Sequence, residues 1–423
     1  MHLTENKWEC DVCGREIEFS ARNKRLGLRV DERGILIQES PNGDVCPVCR
    51  PFLKEEFLGV AERVRRASLN IEPPEPPVAV PDNIPKYVFY FIGDGMGYAH
   101  VKAAENYFGI SAPFGGFPAQ GSATTYPADG QGWVTDSAAS ATALASGVKT
   151  LNYRVGLSPT GERLYGIAHK YREYGAKIGI ATSVSVDHAT PAGFYAGAED
   201  RNMYYEIGRQ IAGTGFDYFA GSGLLDPSRE SPDAYALLAN AGYAVLTSRD
   251  LSEISALPET RGLFLKQAAQ FDQGSLEYAY NRQFTGDYGW VLEDFVRIGI
   301  ERLYSANRNG FFFMVEGGKI DWAAHANQTL VAIHETGDFF KAVLPAIDFY
   351  RNHRDETLIV VTADHETGNT SLPDPDGWDI AWGSGDHSGQ NVPVYAIGKN
   401  SGLFGGDMDN TDIPKRIMNG NSI

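Results

Sequence analysis

The sequence predicts an α/β fold: a mostly parallel central sheet flanked by helices on both faces, preceded by a small zinc-ribbon- or rubredoxin-like module. Three observations carry this. Short apolar runs alternate with helical stretches over most of the 423 residues, as in parallel sheets covered by helices. All four cysteines fall within the first fifty residues, as two Cys-x-x-Cys pairs. Between the two regions lies IEPPEPPVAVPDNIP, from Ile71 to Pro85, whose prolines favour an extended, semi-rigid spacer. The expected division is a four-cysteine module with a short charged helix, Lys54 to Ser68, at 1–70, a linker at 71–86 and a large domain at 87–423.

The N-terminal module rests on Cys10 and Cys13 in CDVC and Cys46 and Cys49 in CPVC. Two such knuckles present four thiolates, the donor set of a tetrahedral structural zinc; iron and a pair of disulfides are the alternatives. A metal there would stand in for a core too small to fold alone. Acidic and basic residues nearly balance between Met1 and Lys54, so no basic face for nucleic acid is expected.

In the large domain, strands are expected at Tyr87–Ile92 (YVFYFI), Lys177–Ala181 (KIGIA), Phe311–Val315 (FFFMV), Thr357–Thr362 (TLIVVT) and Val392–Ile397 (VPVYAI). Helices are expected after Gly97, from Ser137, around Leu164–Tyr174, over Asp287–Asn307 and over Leu330–Arg351. The region from about Tyr218 to Gly286 reads as an insertion over the site. No internal repeat is evident.

Charge narrows the function. With 54 acidic residues against 37 Lys and Arg, the net charge of -17 argues against nonspecific nucleic-acid binding and attraction to anionic membranes. A site for an anionic substrate must therefore be locally positive. No apolar run approaches the roughly 18 residues that span a bilayer. The N-terminal MHLTENKWEC has no basic stretch followed by an apolar core, so no signal peptide is read and a cytoplasmic location is expected unless the chain is already processed.

Chemistry concentrates where strands end. Asp94 follows the first strand in FIGDGMG, Glu316 ends FFFMVE, and Asp364 and His365 follow TLIVVT. Ligands of an open parallel sheet gather at the carboxyl ends of its strands, so these four are expected to converge along one edge. The spacing around Asp94 is GxGxG, without the GxGxxG of a dinucleotide site, and alone it also fits a helix cap. Asp321 and His325 stand four apart in VEGGKIDWAAHAN, on one face if helical, suited either to one cation or to an ordinary surface pair. Asp364 and His365 are neighbours, so both can serve only where the chain is already turning. His387, in the glycine-rich SGDHSG, completes a set of three Asp, one Glu and three His. That set suffices for two zinc sites of mixed donors and one harder all-oxygen site.

The nucleophile candidate is Ser137 in WVTDSAASATALASGVKT. Small helix formers let a helix start abruptly there, and its first turn presents free N–H groups and the positive dipole end. Read alone, Asp136 or Ser137 is an N-cap and the alanines are close packing. No GxSxG elbow surrounds Ser137, so hard cations rather than a histidine base are the expected activators.

In order along the chain, GDGMG, TDSAASATA, DHATPA, VEGGKIDWAAH, VTADHETG and DHSG resemble the alkaline phosphatase family from Tyr87 to the C-terminus. The resemblance implies an alkaline phosphatase-like fold and hydrolysis of phosphate monoesters through a phosphoserine at Ser137. It implies Asp321, His325 and His387 as ligands of a first zinc and Asp94, Asp364 and His365 as ligands of a second. Asp94, Thr190 and Glu316 would surround a third ion, Mg. Arg201, in EDRNMYY, would grip phosphate while Asp136 orients it. His188 in DHATPA and Trp322 in IDWAAH match the marine and cold-active bacterial members, and His188 would favour zinc over Mg at the third site. The resemblance also implies a homodimer and a periplasmic or secreted location, which the four-cysteine module and the missing signal peptide put in question. A phosphodiesterase or sulfatase relative on the same scaffold is the enzymatic alternative; an inert scaffold would require a broken ligand set, and none is broken.

Overall fold

The computed structural model describes residues 79–247, 249–258, 262–268, 274–285, 289–305 and 309–423, with the backbone of five short strands between residues 3 and 38. The chain divides into two compact units, Met1–Pro76 and Pro77–Ile423. The first holds β1 (Leu3–Thr4), β2 (Lys7–Glu9) and β3 (Glu16–Glu18) in one antiparallel sheet and β4 (Leu28–Val30) with β5 (Leu36–Gln38) in another. The four cysteines and the expected helix at Lys54–Ser68 lie outside the described residues.

The second unit begins inside the proline-rich spacer. Ile84 is buried, and the Lys86 and Tyr87 N–H groups donate to the Glu356 carbonyl. The five strands expected from the sequence are all present: β6 (Tyr87–Gly93), β8 (Lys177–Thr182), β12 (Phe311–Gly317), β13 (Thr357–Thr362) and β16 (Val392–Gly398). Five more join them: β7 (Ala119–Thr124), β9 (Tyr218–Gly221), β10 (Ala244–Leu246), β11 (Leu263–Lys266) and β17 (Gly406–Asp409). The ten-stranded sheet runs β10-β11-β9-β8-β12-β6-β13-β16-β7-β17.

All strands from β10 to β13 pair in parallel; β16 is antiparallel to both β13 and β7 and alone runs the other way. The mostly parallel α/β architecture is therefore as expected. Strands β6, β12 and β13 are buried along their whole length, which is why they read as continuous apolar runs rather than alternating ones. Aromatic contacts such as Phe89 against Phe311, with ring centroids 5.1 Å apart, lock neighbouring strands.

The region 218–286 contributes three strands to the sheet: β9, β11 and β10 extend it beyond β8. Its strands are only three or four residues long, too short to show a periodicity. Among the described residues no helix is long and apolar enough to cross a membrane.

Candidate active site

Register decides the site. Ile92 of β6 pairs with Glu316 of β12 on one side and with Thr362 of β13 on the other. Asp94 and Asp364, each two residues further on, therefore emerge level with one another, with Glu316 just beneath. Asp94, Glu316, Asp364 and His365 are all fully buried. After Asp94 the chain turns through Gly95 at φ +71°, where an added Cβ would lie 2.7 Å from Thr367 Oγ1 and 2.9 Å from Asp321. Both the left-handed backbone and the crowding demand glycine at this position.

Asp321 and His325 lie in the helix Lys319–His325, one turn apart, with His325 Nε2 3.3 Å from Asp321 Oδ2. His387 arrives by a two-residue antiparallel pairing in which β15 (His387–Ser388) meets β14 (Glu366–Thr367), opposing Thr367 to His387. This sets its ring on that of His365, centroids 3.6 Å apart, and its Nε2 3.5 Å from Asp321 Oδ1 and 3.1 Å from His325 Nε2. The far nitrogens of both rings are held by carbonyls: His325 Nδ1 by Gly385 O at 2.6 Å and His387 Nδ1 by Thr135 O at 2.9 Å. Each ring so held turns its Nε2 towards Asp321.

Deeper, His365 Nε2 lies 3.3 Å from Asp364 Oδ2 and 3.4 Å from Asp94 Oδ1. Asp364 Oδ1 accepts the Gly95 and His365 N–H groups at 3.1 and 2.9 Å. Thr190 Oγ1 stands 3.3 Å from Asp94 Oδ2 and 3.5 Å from Asp364 Oδ2. Donor atoms converge in three groups, each within 4.8 Å: Asp321, His365 and His387; Asp94, Asp364 and His365; and Asp94, His188 and Glu316. The ring of His188 lies 5.8 Å from that of Trp322.

These groups fit cations. Asp94 Oδ1, Glu316 Oε1 and His188 Nδ1 are buried with no hydrogen-bond partner, a costly condition unless something positive meets them. Burial and the neighbouring Asp364, Asp321 and Glu316 push the Asp94 carboxyl well above its usual range. Burial raises Glu316 to about 8 and Asp364 to about 6. Each ionised pair at such spacing repels by about 4 kcal/mol at an effective dielectric of 20. Two such pairs rival the whole stability of a domain, so the carboxylates can be ionised together only around cations. Burial, with Arg201 nearby, lowers His188 to about 3, leaving a neutral imidazole free to ligate.

Ser137 opens the helix Ser137–Ser146, nine of whose ten residues are buried, and its Oγ lies 3.2 Å from His365 Nε2. Asp136 is indeed the N-cap: its Oδ1 accepts the Ala139 N–H at 2.9 Å. Its other oxygen accepts from Arg201 Nη1 at 3.1 Å, so one carboxylate caps the helix and holds the guanidinium. Asn152 braces this corner, accepting the Asp136 N–H at 2.9 Å and donating to Val134 O at 3.0 Å. The Arg201 N–H donates to the carbonyl of Tyr153 at 2.8 Å.

All twelve residues nominated in the large domain thus gather around the carboxyl edge of the sheet. Sequence reasoning missed the threonines that hold the carboxylates: Thr182 donates to Glu316, and Thr367 to Asp321. Thr182 closes β8 opposite Glu316 and obeys the same strand-end rule that found the others.

A mostly parallel open α/β sheet with clustered carboxylates and imidazoles and a helix-mouth serine at its carboxyl edge defines the class: an α/β protein whose clustered donors could hold metal ions. The family model described as alkaline phosphatase matches residues 85–216 and 266–380. Alkaline phosphatase 4 of Bacillus subtilis is 32% identical over 302 residues, 67% of this chain and 62% of that protein. Streptomycin-6-phosphate phosphatase of Streptomyces griseus is 30% identical over 399 residues, 77% of this chain and 88% of its own length. Among solved structures, the alkaline phosphatase of the Antarctic bacterium TAB5 superposes with a TM-score of 0.71 at 28% identity, covering 80% of this chain and 98% of that one. A histidine-to-aspartate mutant of the TAB5 enzyme, with Mg bound in the M3 site, gives 0.72. The chain belongs to the alkaline phosphatase family.

Proposed function

We propose that the chain hydrolyses phosphate monoesters through a phosphoserine on Ser137. The observation that carries this is the meeting of three things at one helix mouth: the Ser137 hydroxyl 3.2 Å from His365, the carboxylate and imidazole clusters around it, and Arg201 held by the N-cap Asp136. Asp321, His325 and His387 would hold one zinc, Asp94, Asp364 and His365 a second, and Asp94, Thr190 and Glu316, with His188, a third ion, Mg or zinc. Bound there, such ions acidify serine and water and balance charge on phosphoryl oxygens.

The chain's own groups do the rest. Arg201 fixes two phosphoryl oxygens with its planar fork, and the free N–H groups of the first helical turn favour the same anion. Ser137 Oγ gives its proton to water and forms the new bond to phosphorus as the bond to the ester oxygen breaks on the opposite side, the departing oxygen taking its proton from water. Water then cleaves the phosphoserine, releasing phosphate and restoring the hydroxyl. The buried Asp94 lies beside Ser137's partner His365, and with Glu316 and Thr190, which stand on its far side, it is suited to hold an ordered water for the serine proton.

Replacing Ser137 by Ala should abolish acid-trapped phosphoenzyme and nearly all turnover while leaving metal content intact; unchanged hydrolysis would refute the nucleophile. A mono- and a diester of the same phenol should be cleaved with strong preference for the monoester, and preference for the diester would favour a phosphodiesterase. The thiolates of Cys10, Cys13, Cys46 and Cys49 are proposed to hold one structural zinc, so a chain lacking residues Met1 to Ser68 should bind one metal fewer. A homodimer is proposed from the family alone, to be checked by light scattering.

A further inference from the structure

Behind the nucleophile helix runs a line of hydrogen bonds, part-buried at its Lys149 end and buried beyond it, that the catalytic proposal does not use. Lys149 Nζ donates to Asn410 Oδ1 at 2.6 Å, Asn410 Nδ2 to Ser140 Oγ at 2.9 Å, and Ser140 Oγ to the backbone carbonyl of Asp364 at 2.6 Å. Asn410 and Ser140 are almost wholly buried. The direction of the line is imposed by chemistry. An ammonium only donates, so the amide oxygen of Asn410 must face Lys149 and its NH₂ must face Ser140; the single hydroxyl proton of Ser140 is then left for Asp364.

The carbonyl at the end of the line has lost its sheet partners. The ladder of β13 stops at Thr362 beside β6 and at Val361 beside β16, whereas Asp364 lies where the chain leaves the strand so that Asp364 and His365 can both face the site. Ser140 follows Ser137 by three residues, on the same helix face. Ser137 therefore meets His365 while Ser140 meets Asp364, and two consecutive site residues are registered against one helix.

Asn410 is itself pinned. Its N–H donates to the Thr124 carbonyl at the end of β7, and Lys149 also pairs with Asp409 at 3.1 Å. Residue 410 lies beyond residue 380, where the family match ends.

We propose that Lys149, Asn410 and Ser140 form a positioning relay by which the C-terminal segment fixes the backbone of Asp364, and so sets the metal affinity and reactivity of the Asp94, Asp364 and His365 cluster. The inference rests on the proposed function in taking that cluster to hold zinc.

The decisive variant is Asn410→Asp. It keeps the volume and the Lys149 partner but removes the donor to Ser140, and its carboxylate competes with Asp364 for the Ser140 proton. Zinc-loaded full-length protein is mixed with excess chelator, zinc release is followed with a dye, and thermal midpoints are taken for both the metal-free and the zinc-loaded forms. Asn410→Asp and Ser140→Ala should each release zinc about tenfold faster, the scale of losing a partner behind a metal ligand. Lys149→Met should give a smaller change, and the metal-free midpoints should stay put. Release within twofold of wild type overturns the inference, as does a metal-free midpoint that falls as far as the loaded one, which would make the relay merely structural. A wild-type chain that retains no zinc overturns the functional reading and this inference together.

Discussion

At the rim of the site one carboxylate faces two imidazoles; in its depth three carboxylates share the space with His365 and His188. Asp321 carries the rim. Burial would raise its pKa, but hydrogen bonds from His325 and His387 outweigh that and hold it well below the usual carboxylate range. The bond to Asp321 raises His325 to about 9 in return. The rim thus neutralises itself, and the His325 side chain remains 40% exposed. Asp94, Glu316 and Asp364, fully buried, are instead all driven up by burial and mutual repulsion. Similar residue types in one cluster therefore behave oppositely: the rim carboxylate is held ionised by its imidazole partners, whereas the deep carboxyls are driven towards their neutral forms.

The largest break in this contrast is Asp94→Asn. Losing a proposed ligand of the deep centre should cost about 10³-fold in kcat/KM, several kcal/mol of charge stabilisation, yet the metal-free protein should become more stable because the cost of keeping a buried carboxyl protonated is gone. Calorimetry of the metal-free form beside steady-state kinetics checks both signs; a destabilised metal-free variant would contradict the electrostatic account.

His325→Gln attacks the rim and should behave in the opposite sense. Activity should fall about 10- to 100-fold and recover partly with added zinc, since water can reach the vacated position. Here the metal-free protein should lose stability through the broken Asp321 pair. The two variants moving the metal-free midpoint in the same direction would erase the distinction.

The pH dependence of the metal-free protein sharpens the comparison. Glu316 shifts from 4.5 unfolded to about 8 folded, and His325 from 6.5 to about 9. Between pH 6.5 and 9 the folded state therefore binds more protons than the unfolded one, and stability should fall as pH rises. The neutral buried His188 and His365 act the other way only below 6.5, where the unfolded chain gains their protons. Cation binding needs deprotonated ligands, so the extra stability conferred by zinc should grow across the same window. A metal-free midpoint rising between 6.5 and 9 would overturn the assignment.

The smallest effect is expected from His188→Asp. Exchanging imidazole for a third carboxylate should move the third site from zinc towards Mg and change turnover only a few-fold, as read by metal analysis after dialysis against both ions. An unchanged metal ratio would remove His188 from that site.

Much of the site was legible because its residues sit at places local chemistry marks. Asp94, Glu316 and Asp364 end apolar runs, Asp321 and His325 are spaced by one helical turn, and Ser137 opens a run of small helix formers. The alternative readings were partly true as well: Asp136 is a cap and an arginine partner at once. What local pattern could not show were the braces. Thr182, Thr367, Asn152 and Asn410 act through hydrogen bonds to residues distant in the chain, and no periodicity records such a bond. Strand β7, AQGSAT, has no aromatic residue and only one β-branched one, Thr124, so it does not announce itself as a strand. The direction of β16 could not be read because parallel and antiparallel strands share one side-chain alternation.

The sequence by itself determined the chemistry available: which donors the chain carries, which fall at the ends of buried strands, and which pair along a helix. Those follow from hydrophobic periodicity and backbone geometry, which act over a few residues. Only the tertiary structure decided which donors meet, because the register of β6 with β12 and β13 sets the depth of each carboxylate. It also decided that the segment after residue 217 would widen the sheet and that the C-terminal segment would reach back to Asp364. Those outcomes depend on packing and burial between distant segments, where a group's surroundings, and not its identity, set its charge and its partner.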